Sequence, residues 1–282
     1  MELSICSYSF HRLLEAGGQD VFQYISDCQT LGCTQLDLWN GHLPSLLDDE
    51  ARPEGTSSFT PEYAQLSAGE MDYLARIKAT ADNAGLPFGC LAVDGAHIYE
   101  PSPERRQANQ IKADRWLNIA GQLGAGQIRI DSGGPPEMPE DVFEIIVRGY
   151  KDLLQRAGEK GIEVVIENHW GASRIPENVV RILEAVPGLG LLFDTGNWPE
   201  ELRETGWKQC ARYARATHIK TYAFDSKGDE TTVDIPRAIG YLQEAGYQGS
   251  WGIESVPRQG DEYEAAKKSV ALLRRVLGAT AN

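Results

Sequence analysis

The stretch Val-Val-Ile-Glu-Asn-His-Trp, residues 164–170, is an apolar run that stops abruptly at the carboxylate of Glu167. The same pattern recurs three times downstream, where short apolar runs lead to Asp194, His218 and Glu254. Apolar runs of this length are typical of strands buried in a parallel sheet. The four runs therefore predict four buried strands, each carrying one potential metal ligand at or near its end.

Strand-like runs alternate with helix-like runs along the whole chain. Strands are predicted at residues 3–7, 35–39, 87–93, 127–131, 162–167, 189–194, 216–221 and 250–254, and helices at 19–31, 61–84, 103–123, 139–160, 176–186, 199–213, 235–245 and 261–277. Proline stands near the first turn of several helices, and glycine follows the predicted end of several. Eight strands alternating with eight helices predict an α/β protein, a single (β/α)₈ TIM barrel. No Gly-x-Gly-x-x-Gly follows the first strand, which argues against a dinucleotide-binding sheet.

A long polar connection, residues 41–59, follows the second predicted strand and interrupts this rhythm. In a parallel barrel the loops that follow the strands build the C-terminal face, where active sites lie. The connection is therefore either a lid or subunit contact or a mobile surface loop, and the sequence leaves both open.

Composition and charge exclude several classes of protein. The formal net charge of -14 would repel nucleic-acid phosphates and anionic lipid, because affinity for nucleic acid comes largely from Lys and Arg. No apolar window approaches about 18 residues and no signal-peptide pattern opens the chain. The five cysteines are scattered, without Cys-x-x-Cys or zinc spacing. We therefore expect reduced core thiols in a cytoplasmic protein that binds neither nucleic acid nor membrane.

The strand ends predict one metal centre. In a parallel barrel the last residues of each strand point over the C-terminal mouth, and alternate residues face inward. Four side chains would then meet at one point, and we name them the ligand cluster: Glu167, Asp194, His218 and Glu254. Three carboxylates and one imidazole suit a single divalent cation, Mn²⁺ first, with Mg²⁺, Co²⁺ or Zn²⁺ as alternatives. Any one of these residues alone is more commonly a helix cap or a hydrogen-bonded core residue, but independent capping would not select the joint pattern.

Same-face spacing extends the predicted site towards a substrate. Lys220 lies two residues after the strand-seven ligand and His169 two residues after the strand-five ligand, so both should face the interior nearer the mouth. Further substrate-pocket candidates stand at the ends of the first three strands: Tyr8, Trp39, Asp94 and His97. Core packing is the alternative for the two aromatic residues, since large aromatic side chains are commonly buried for their area alone.

Two expectations concern the strand interiors. Gly252 and Ser250 lie below Glu254 on the same face, which predicts free volume under the cation. Arg129 and Asp37 lie within strands, and charges at such depth need partners, so we expect a buried ion pair there.

Four motifs resemble those of a known superfamily: Ile166-Glu167-Asn168-His169, Phe193-Asp194-Thr195-Gly196-Asn197, Thr217-His218-Ile219-Lys220 and Gly252-Ile253-Glu254. They are similar to the motifs of the xylose isomerase-like superfamily, specifically its sugar phosphate isomerase/epimerase group. The resemblance implies a xylose isomerase-like TIM barrel over residues 1–282 that binds one divalent metal through the ligand cluster. It also implies an isomerase or epimerase of a sugar, a sugar phosphate or a cyclic polyol. In that reaction Glu167 and Glu254 would act as acid and base around a metal-stabilised enediolate.

Three positions depart from relatives in that group. Asn197 stands where many relatives carry His, and its amide can hydrogen-bond a sugar hydroxyl, so we expect a substrate contact there. Phe224 stands where the epimerase branch tends to carry Arg. Asp234-Ile235-Pro236 replaces the Asp-x-His pair of the endonuclease branch, so neither a multinuclear zinc cluster nor DNA repair is expected.

Two other functions remain open. A lyase of the inosose dehydratase type would use the same enediolate to expel a β-hydroxyl group. A non-catalytic sugar-binding barrel would keep the fold without turnover, although binding alone would not require two glutamates placed for proton transfer. In each case the partner is a small-molecule sugar or polyol, and the chain either acts alone or forms a homo-oligomer.

Overall fold

The structure is a computed structural model that describes the backbone of residues 2–47 and 60–280 and the side chains through residue 278. Most of the polar connection after the second strand, residues 48–59, lies outside the described residues. The expectation of a lid or subunit contact therefore falls where the structure gives no description.

Eight parallel strands form the centre of the protein. They are β1 Leu3–Ile5, β2 Leu36–Trp39, β3 Phe88–Val93, β4 Gln127–Ile130, β5 Glu163–Glu167, β6 Gly190–Asp194, β7 Ala214–Thr221 and β8 Trp251–Ser255. They are hydrogen-bonded in the order β1-β8-β7-β6-β5-β4-β3-β2. An isolated parallel bridge between Cys6 and Asp37 joins the two ends of this order. The sheet is thus a nearly closed barrel, and the predicted single (β/α)₈ TIM barrel is confirmed.

Helices connect the strands on the outside of the barrel. They are α1 His11–Glu15, α2 Val21–Leu31, α3 Ala68–Ala84, α4 Pro103–Leu123, α5 Glu140–Gly158, α6 Pro176–Ala185, α7 Glu200–Cys210, α8 Ile235–Glu244 and α9 Glu262–Thr280. Short α1 was not predicted. The helix predicted over 61–84 divides into a 3₁₀ turn, Pro61–Ala64, and α3, because Ser67 and Glu70 form a reciprocal capping box that starts a new helix.

The strand register places polar side chains at the mouth and apolar ones below it. The inward-facing floor consists of Cys90, Val165, Leu192 and Ala216. Glu167, Asp194 and His218 each lie two residues beyond one of these floor residues, so they share its inward face one layer higher. In the register, Asp194 stands beside His218 and Lys220 beside Glu254.

All five cysteines are buried and none forms a disulfide, as expected. None of the helices within the described ranges is long and apolar enough to cross a bilayer.

Candidate metal centre

The structure brings the ligand cluster together at the C-terminal mouth. Its members are Glu167, Asp194, His218 and Glu254. Each offers one ligand atom, and these four atoms all lie within 4.8 Å of one another. The Nδ1 atom of His218 lies 3.2 Å from Glu167 Oε1 and 2.9 Å from Glu254 Oε2. All four residues are buried, so the imidazole and carboxylates meet in a volume with little access to water.

The second nitrogen of His218 is held by a residue from the opposite part of the barrel. Nε2 lies 3.1 Å from Oδ2 of Asp37, which is on β2. Burial opposes charge on the imidazole, but Cys6, Asp37 and Glu167 outweigh it and hold the pKa of His218 well above its ordinary value. The Asp37 contact leaves Nδ1 directed at the carboxylates, an arrangement common for metal-binding histidines.

Asp194 is oriented by the backbone that follows its strand. Its Oδ1 accepts hydrogen bonds from the N–H groups of Gly196, at 2.7 Å, and Asn197, at 2.8 Å. Its Oδ2 lies 3.0 Å from Nζ of Lys220. Burial raises the pKa of Asp194 to about 6 despite the opposing charge of Lys220, and the nearby carboxylates of Glu254 and Glu167 add to the rise. The site therefore contains a concentration of negative charge that a bound cation would relieve.

Lys220 lies between two members of the ligand cluster. Its Nζ is 3.0 Å from Asp194 Oδ2 and 2.8 Å from Glu254 Oε2. A Cβ at Gly196 would lie 2.9 Å from both Cβ and Cγ of Lys220, so glycine at this position makes room for the lysine side chain. The predicted inward direction of Lys220 agrees with this placement.

Arg129, on β4, supplies a second permanent positive charge beside the ligand cluster. Its Nε lies 3.1 Å from Glu167 Oε2, and its NH1 group donates to Asp94 Oδ1 at 2.8 Å and to Asp131 Oδ2 at 2.9 Å. The prediction of an ion pair between Arg129 and Asp37 is wrong, because Asp37 pairs with His218 instead. Glu167 consequently presents Oε1 to the ligand cluster and Oε2 to the guanidinium.

A cavity of about 250 Å³ opens above the ligand cluster. Among the predicted pocket residues it includes Tyr8, Trp39, Asp94, His169 and Lys220. The remaining lining residues are Cys6, Arg129, Glu167, His218, Tyr222, Glu254 and Val256. The indole N–H of Trp39 donates to Asp94 Oδ2 at 2.8 Å, and Tyr8 packs edge-on against Trp39 at 4.9 Å between ring centres. These aromatic residues thus present ring surface to the cavity, rather than packing in the core alone.

His169 also borders the cavity and is paired behind it. Its Nδ1 lies 3.2 Å from Asp131 Oδ2. Burial alone would lower the pKa of His169. The hydrogen bond to Asp131 and the charge of Glu167 outweigh burial and raise this pKa to about 9. The ring is therefore cationic at neutral pH and is fixed by Asp131.

Two predicted contacts lie outside the cavity lining. Asn197 donates from Nδ2 to Glu167 Oε1 at 3.1 Å, so it touches the ligand cluster from the side. His97 faces a separate groove of about 520 Å³ between α4 and α5, where its Nε2 lies 2.5 Å from Glu100 Oε1. The structure does not bring His97 to the candidate site.

The free volume expected beneath Glu254 is absent at Gly252. A Cβ at this position would lie 2.2 Å from the carbonyl oxygen of Thr217 and 3.2 Å from both Asp37 Oδ2 and Ser4 Oγ. The space is taken first by the Thr217 carbonyl and then by the Asp37 and Ser4 side chains, so that expectation is wrong.

The residues present fit a divalent cation. The ligand cluster offers three carboxylates and an imidazole nitrogen, and the remote nitrogen of that imidazole is already held by a carboxylate. Hard oxygen donors with one nitrogen are the ligands that Mn²⁺ and Mg²⁺ accept.

Sequence reasoning missed three contacts of the centre. The sequence did not predict that Asp37 pairs with His218 or that Arg129 contacts three carboxylates. It also did not predict that Asp131 supports His169. A charged residue inside an apolar strand was the available signal for the first two. Such a signal shows that a partner is needed but not which one.

Comparison with known proteins agrees with the barrel fold. The chain belongs to the xylose isomerase-like TIM barrel family, whose sequence profile matches residues 25–276. The expected resemblance is thereby confirmed. No curated protein sequence matches the chain significantly.

Solved structures with the same fold include proteins with different activities. D-psicose 3-epimerase from Clostridium cellulolyticum H10 superposes with a TM-score of 0.70 at 14% identity, covering 100% of this chain and 98% of that one. The 3-keto-D-glucoside 4-epimerase YcjR from E. coli gives 0.69 at 16% identity, covering 98% and 99%. The probable 3-DHS dehydratase AsbF from Bacillus anthracis gives 0.70 at 13% identity, covering 97% and 98%. At these identities the likeness establishes the shared fold.

Proposed function

We propose that this protein is a divalent-metal-dependent isomerase or epimerase of a sugar or cyclic polyol. The observation that carries the proposal is the ligand cluster, four convergent metal-type side chains directly below a cavity of about 250 Å³. The epimerases that share the fold support a reaction on a sugar. Mn²⁺ is the cation best suited to this donor set.

The ligand cluster would hold the cation. A bound divalent cation supplies Lewis-acid stabilisation of negative charge on substrate oxygens. Lys220, which lines the same cavity, would donate a hydrogen bond to one of those oxygens. His169 and Asn197 would orient substrate hydroxyl groups, His169 from the cavity wall and Asn197 from beside Glu167.

Glu254 and Glu167 would move the protons. Both line the cavity, from strands separated by β6 and β7. Burial raises the pKa of Glu254, but Lys220 and His218 outweigh it and hold that pKa well below the usual range. Arg129 and His218 likewise outweigh burial at Glu167 and lower its pKa. Either carboxylate is therefore ionised at neutral pH and able to accept a proton from a C–H group beside a carbonyl. The other, after taking up a proton from water, would return it to the opposite face of that carbon.

Dehydration is the second candidate reaction. The buried ammonium group of Lys220 lies 2.8 Å from Glu254 Oε2 and borders the cavity. A proton removed by Glu254 and a proton donated by Lys220 to a departing hydroxyl group would give elimination rather than epimerisation. The fold shared with a dehydratase is compatible with this outcome.

Solvent exchange tests the proposal. Protein stripped with EDTA and reloaded with Mn²⁺ is incubated in D₂O with a panel of ketoses and keto-polyols, and deuterium at carbon is followed by NMR and mass spectrometry. We expect Mn²⁺-dependent exchange that falls at least about 100-fold in Glu254→Gln. The control Glu264→Gln, an exposed residue of α9, should retain it. A product of unchanged mass apart from deuterium indicates an epimerase or isomerase, and an enone chromophore indicates a lyase. Absence of exchange across the panel would overturn the enzymatic proposal in favour of a sugar-binding barrel.

A further inference from the structure

A second group of ligand-type side chains lies at the other nitrogen of His218. Its members are Cys6, Asp37 and His218. Each offers one ligand atom, and the three atoms all lie within 4.8 Å of one another. All three residues are buried. The group is as compact as the ligand cluster but includes a sulfur atom, and we name it the sulfur group.

The closure of the barrel brings Cys6 and Asp37 together. β1 and β2 are the two ends of the strand order, and the isolated parallel bridge between Cys6 and Asp37 joins them. From β2, Asp37 reaches across to β7, where its Oδ2 lies 3.1 Å from Nε2 of His218. The sulfur group therefore connects β7 with the two strands between which the barrel closes.

One oxygen of the sulfur group is without a partner. Oδ2 of Asp37 contacts His218, but Oδ1 is buried and has no hydrogen-bond partner in the part of the chain that the structure describes. A buried carboxylate oxygen in this state costs free energy that a bound cation would recover. Cys6 and His218 both line the cavity of about 250 Å³, which gives a cation a route from the mouth of the barrel to the sulfur group.

The sulfur group and the ligand cluster favour different ions. Sulfur, imidazole nitrogen and carboxylate oxygen are ligands of tetrahedral Zn²⁺, whereas Mn²⁺ and Mg²⁺ prefer oxygen. Nδ1 of His218 faces the carboxylates of the ligand cluster and Nε2 faces Asp37, so each nitrogen can serve one of the two groups. A cation in the sulfur group takes the place of the proton between Nε2 and Asp37, and it also displaces the thiol proton of Cys6; both protons go to solvent.

We propose that the sulfur group is a second cation site, which binds a thiophilic divalent ion, Zn²⁺ being the best fit, and ties β1 to β2 where the barrel closes. The proposal stands apart from the proposed reaction, because it rests on the sulfur group alone. Deuterium exchange without zinc–sulfur binding would remove only this proposal, and zinc–sulfur binding without exchange would remove only the reaction.

Cobalt absorption tests whether the sulfur atom binds the ion. Co²⁺ substitutes for Zn²⁺, and a bond between Co²⁺ and a thiolate gives a charge-transfer band in the near ultraviolet. Protein stripped with EDTA is titrated with Co²⁺, and we expect this band in the unmodified protein but not in Cys6→Ser. Cys210→Ser, which removes another buried thiol at the end of α7, should retain the band. No band, or a band that persists in Cys6→Ser, would overturn the proposal.

X-ray absorption at the zinc edge needs no variant. The unmodified protein is given excess Mn²⁺ and then one equivalent of Zn²⁺. We expect the zinc to have one sulfur neighbour at about 2.3 Å and nitrogen or oxygen neighbours at about 2.0–2.2 Å. A zinc shell of nitrogen and oxygen alone would place the ion in the ligand cluster and contradict the proposal.

Thermal unfolding tests the role at the seam between β1 and β2. An ion that binds only the folded chain raises Tm, and at about 100 times its Kd we expect Zn²⁺ to raise Tm by about 5 °C more in the unmodified protein than in Cys6→Ser. Far-UV circular dichroism checks that the variant is folded, and Cys6→Ala replaces it if it is not. Equal shifts in the unmodified protein and the folded variant would show that the sulfur group does not hold the ion.

Discussion

Asp37 shows how a residue distant in sequence from the ligand cluster orients one of its members. Its Oδ2 lies 3.1 Å from Nε2 of His218 and so fixes which imidazole nitrogen faces the carboxylates. Asp37→Asn preserves the shape of the side chain but removes its charge. We expect the affinity for Mn²⁺ to fall about 10–100-fold, the range found when a carboxylate behind a metal-binding histidine is lost. Equilibrium dialysis measures this change.

The matched control for that prediction is Asp27→Asn, on the outer surface of α2, where the carboxylate accepts hydrogen bonds from Gln19 and Gln23. Its Mn²⁺ affinity should equal that of the unmodified protein. Unchanged affinity in Asp37→Asn would mean that the imidazole is oriented by other contacts.

Arg129 is expected to matter for folding as well as for the site. Replacement by Met leaves the buried carboxylates of Asp131 and Glu167 without their main counter-charge, while Asp94 is partly exposed. Loss of one partner from a buried ion pair costs about 3–5 kcal/mol, and we expect a loss of that size in the free energy of unfolding of Arg129→Met. Urea denaturation without added metal gives the value.

Arg275→Met is the comparison for this measurement, because Arg275 pairs with Asp229 at the exposed surface. Exposed pairs contribute about 0–1 kcal/mol. If the two variants lose similar stability, then the carboxylates around Arg129 are solvated or protonated in its absence.

The residues of the candidate site were only partly predictable from the sequence. Positions at strand ends follow from apolar runs and from the two-residue alternation of a strand, so the ligand cluster and Lys220 could be placed. The partners of Asp37 and Arg129 could not be placed, because the strand pattern gives the face of a side chain but not the direction of its charged end. Asp37 reaches across the barrel to His218, and Arg129 turns to carboxylates at the ends of its own strand and of the two neighbouring strands. The volume beneath Glu254 was misjudged because it is taken by the Thr217 carbonyl of neighbouring β7 and by side chains from β1 and β2.

At the scale of secondary-structure elements, the eight strands were predictable because each is a short apolar run with a turn residue or helix signal on either side. The errors concern helix starts. The prediction of one helix over 61–84 did not take account of Ser67 and Glu70, whose spacing is that of a capping box. The signal was present in the sequence, but Pro61 offered an earlier start with equally good chemistry.

The capping box gives a prediction for α3. The N–H of Glu70 donates to Ser67 Oγ at 3.3 Å, and the N–H of Ser67 donates to Glu70 Oε2 at 2.7 Å. Ser67→Ala should lower the free energy of unfolding by about 1 kcal/mol, because it removes the first of these hydrogen bonds. Differential scanning calorimetry should show a decrease in Tm of about 2–4 °C.

Thr80→Ala is the control within the same helix. The Thr80 hydroxyl donates to the Arg76 carbonyl on the exposed face, and alanine is the better helix former, so stability should be unchanged or slightly higher. An equal loss in both variants would show that the cap does not define the start of α3.

At the scale of the whole molecule, the barrel separates an apolar floor from a charged mouth. The floor residues fill the interior one layer below the ligand cluster, so the cavity can open only towards the C-terminal face. The paired charges lie above this floor and include more carboxylates than cations, in line with the net charge of -14 for the chain. The same arrangement that seals the core therefore creates a site suited to a cation.

The dependence of global stability on pH provides a test at this scale through His42, which lies in the 3₁₀ turn after β2. Neither ring nitrogen has a hydrogen-bond partner among residues 2–47 and 60–278, and burial lowers the pKa of His42 to about 4 from the ordinary 6.5. Because the unfolded chain binds this proton more readily, stability from His42 is complete above pH 6.5 and decreases as the pH falls towards 4. At pH 5.0 this effect lowers the free energy of unfolding by about 2 kcal/mol.

Urea denaturation at pH 7.5 and 5.0 tests this prediction. Between the two pH values, the free energy of unfolding should fall by about 2 kcal/mol more in the unmodified protein than in His42→Phe, in which no such proton can bind. Equal losses in the two proteins would mean that His42 is protonated, or solvated, in the folded state.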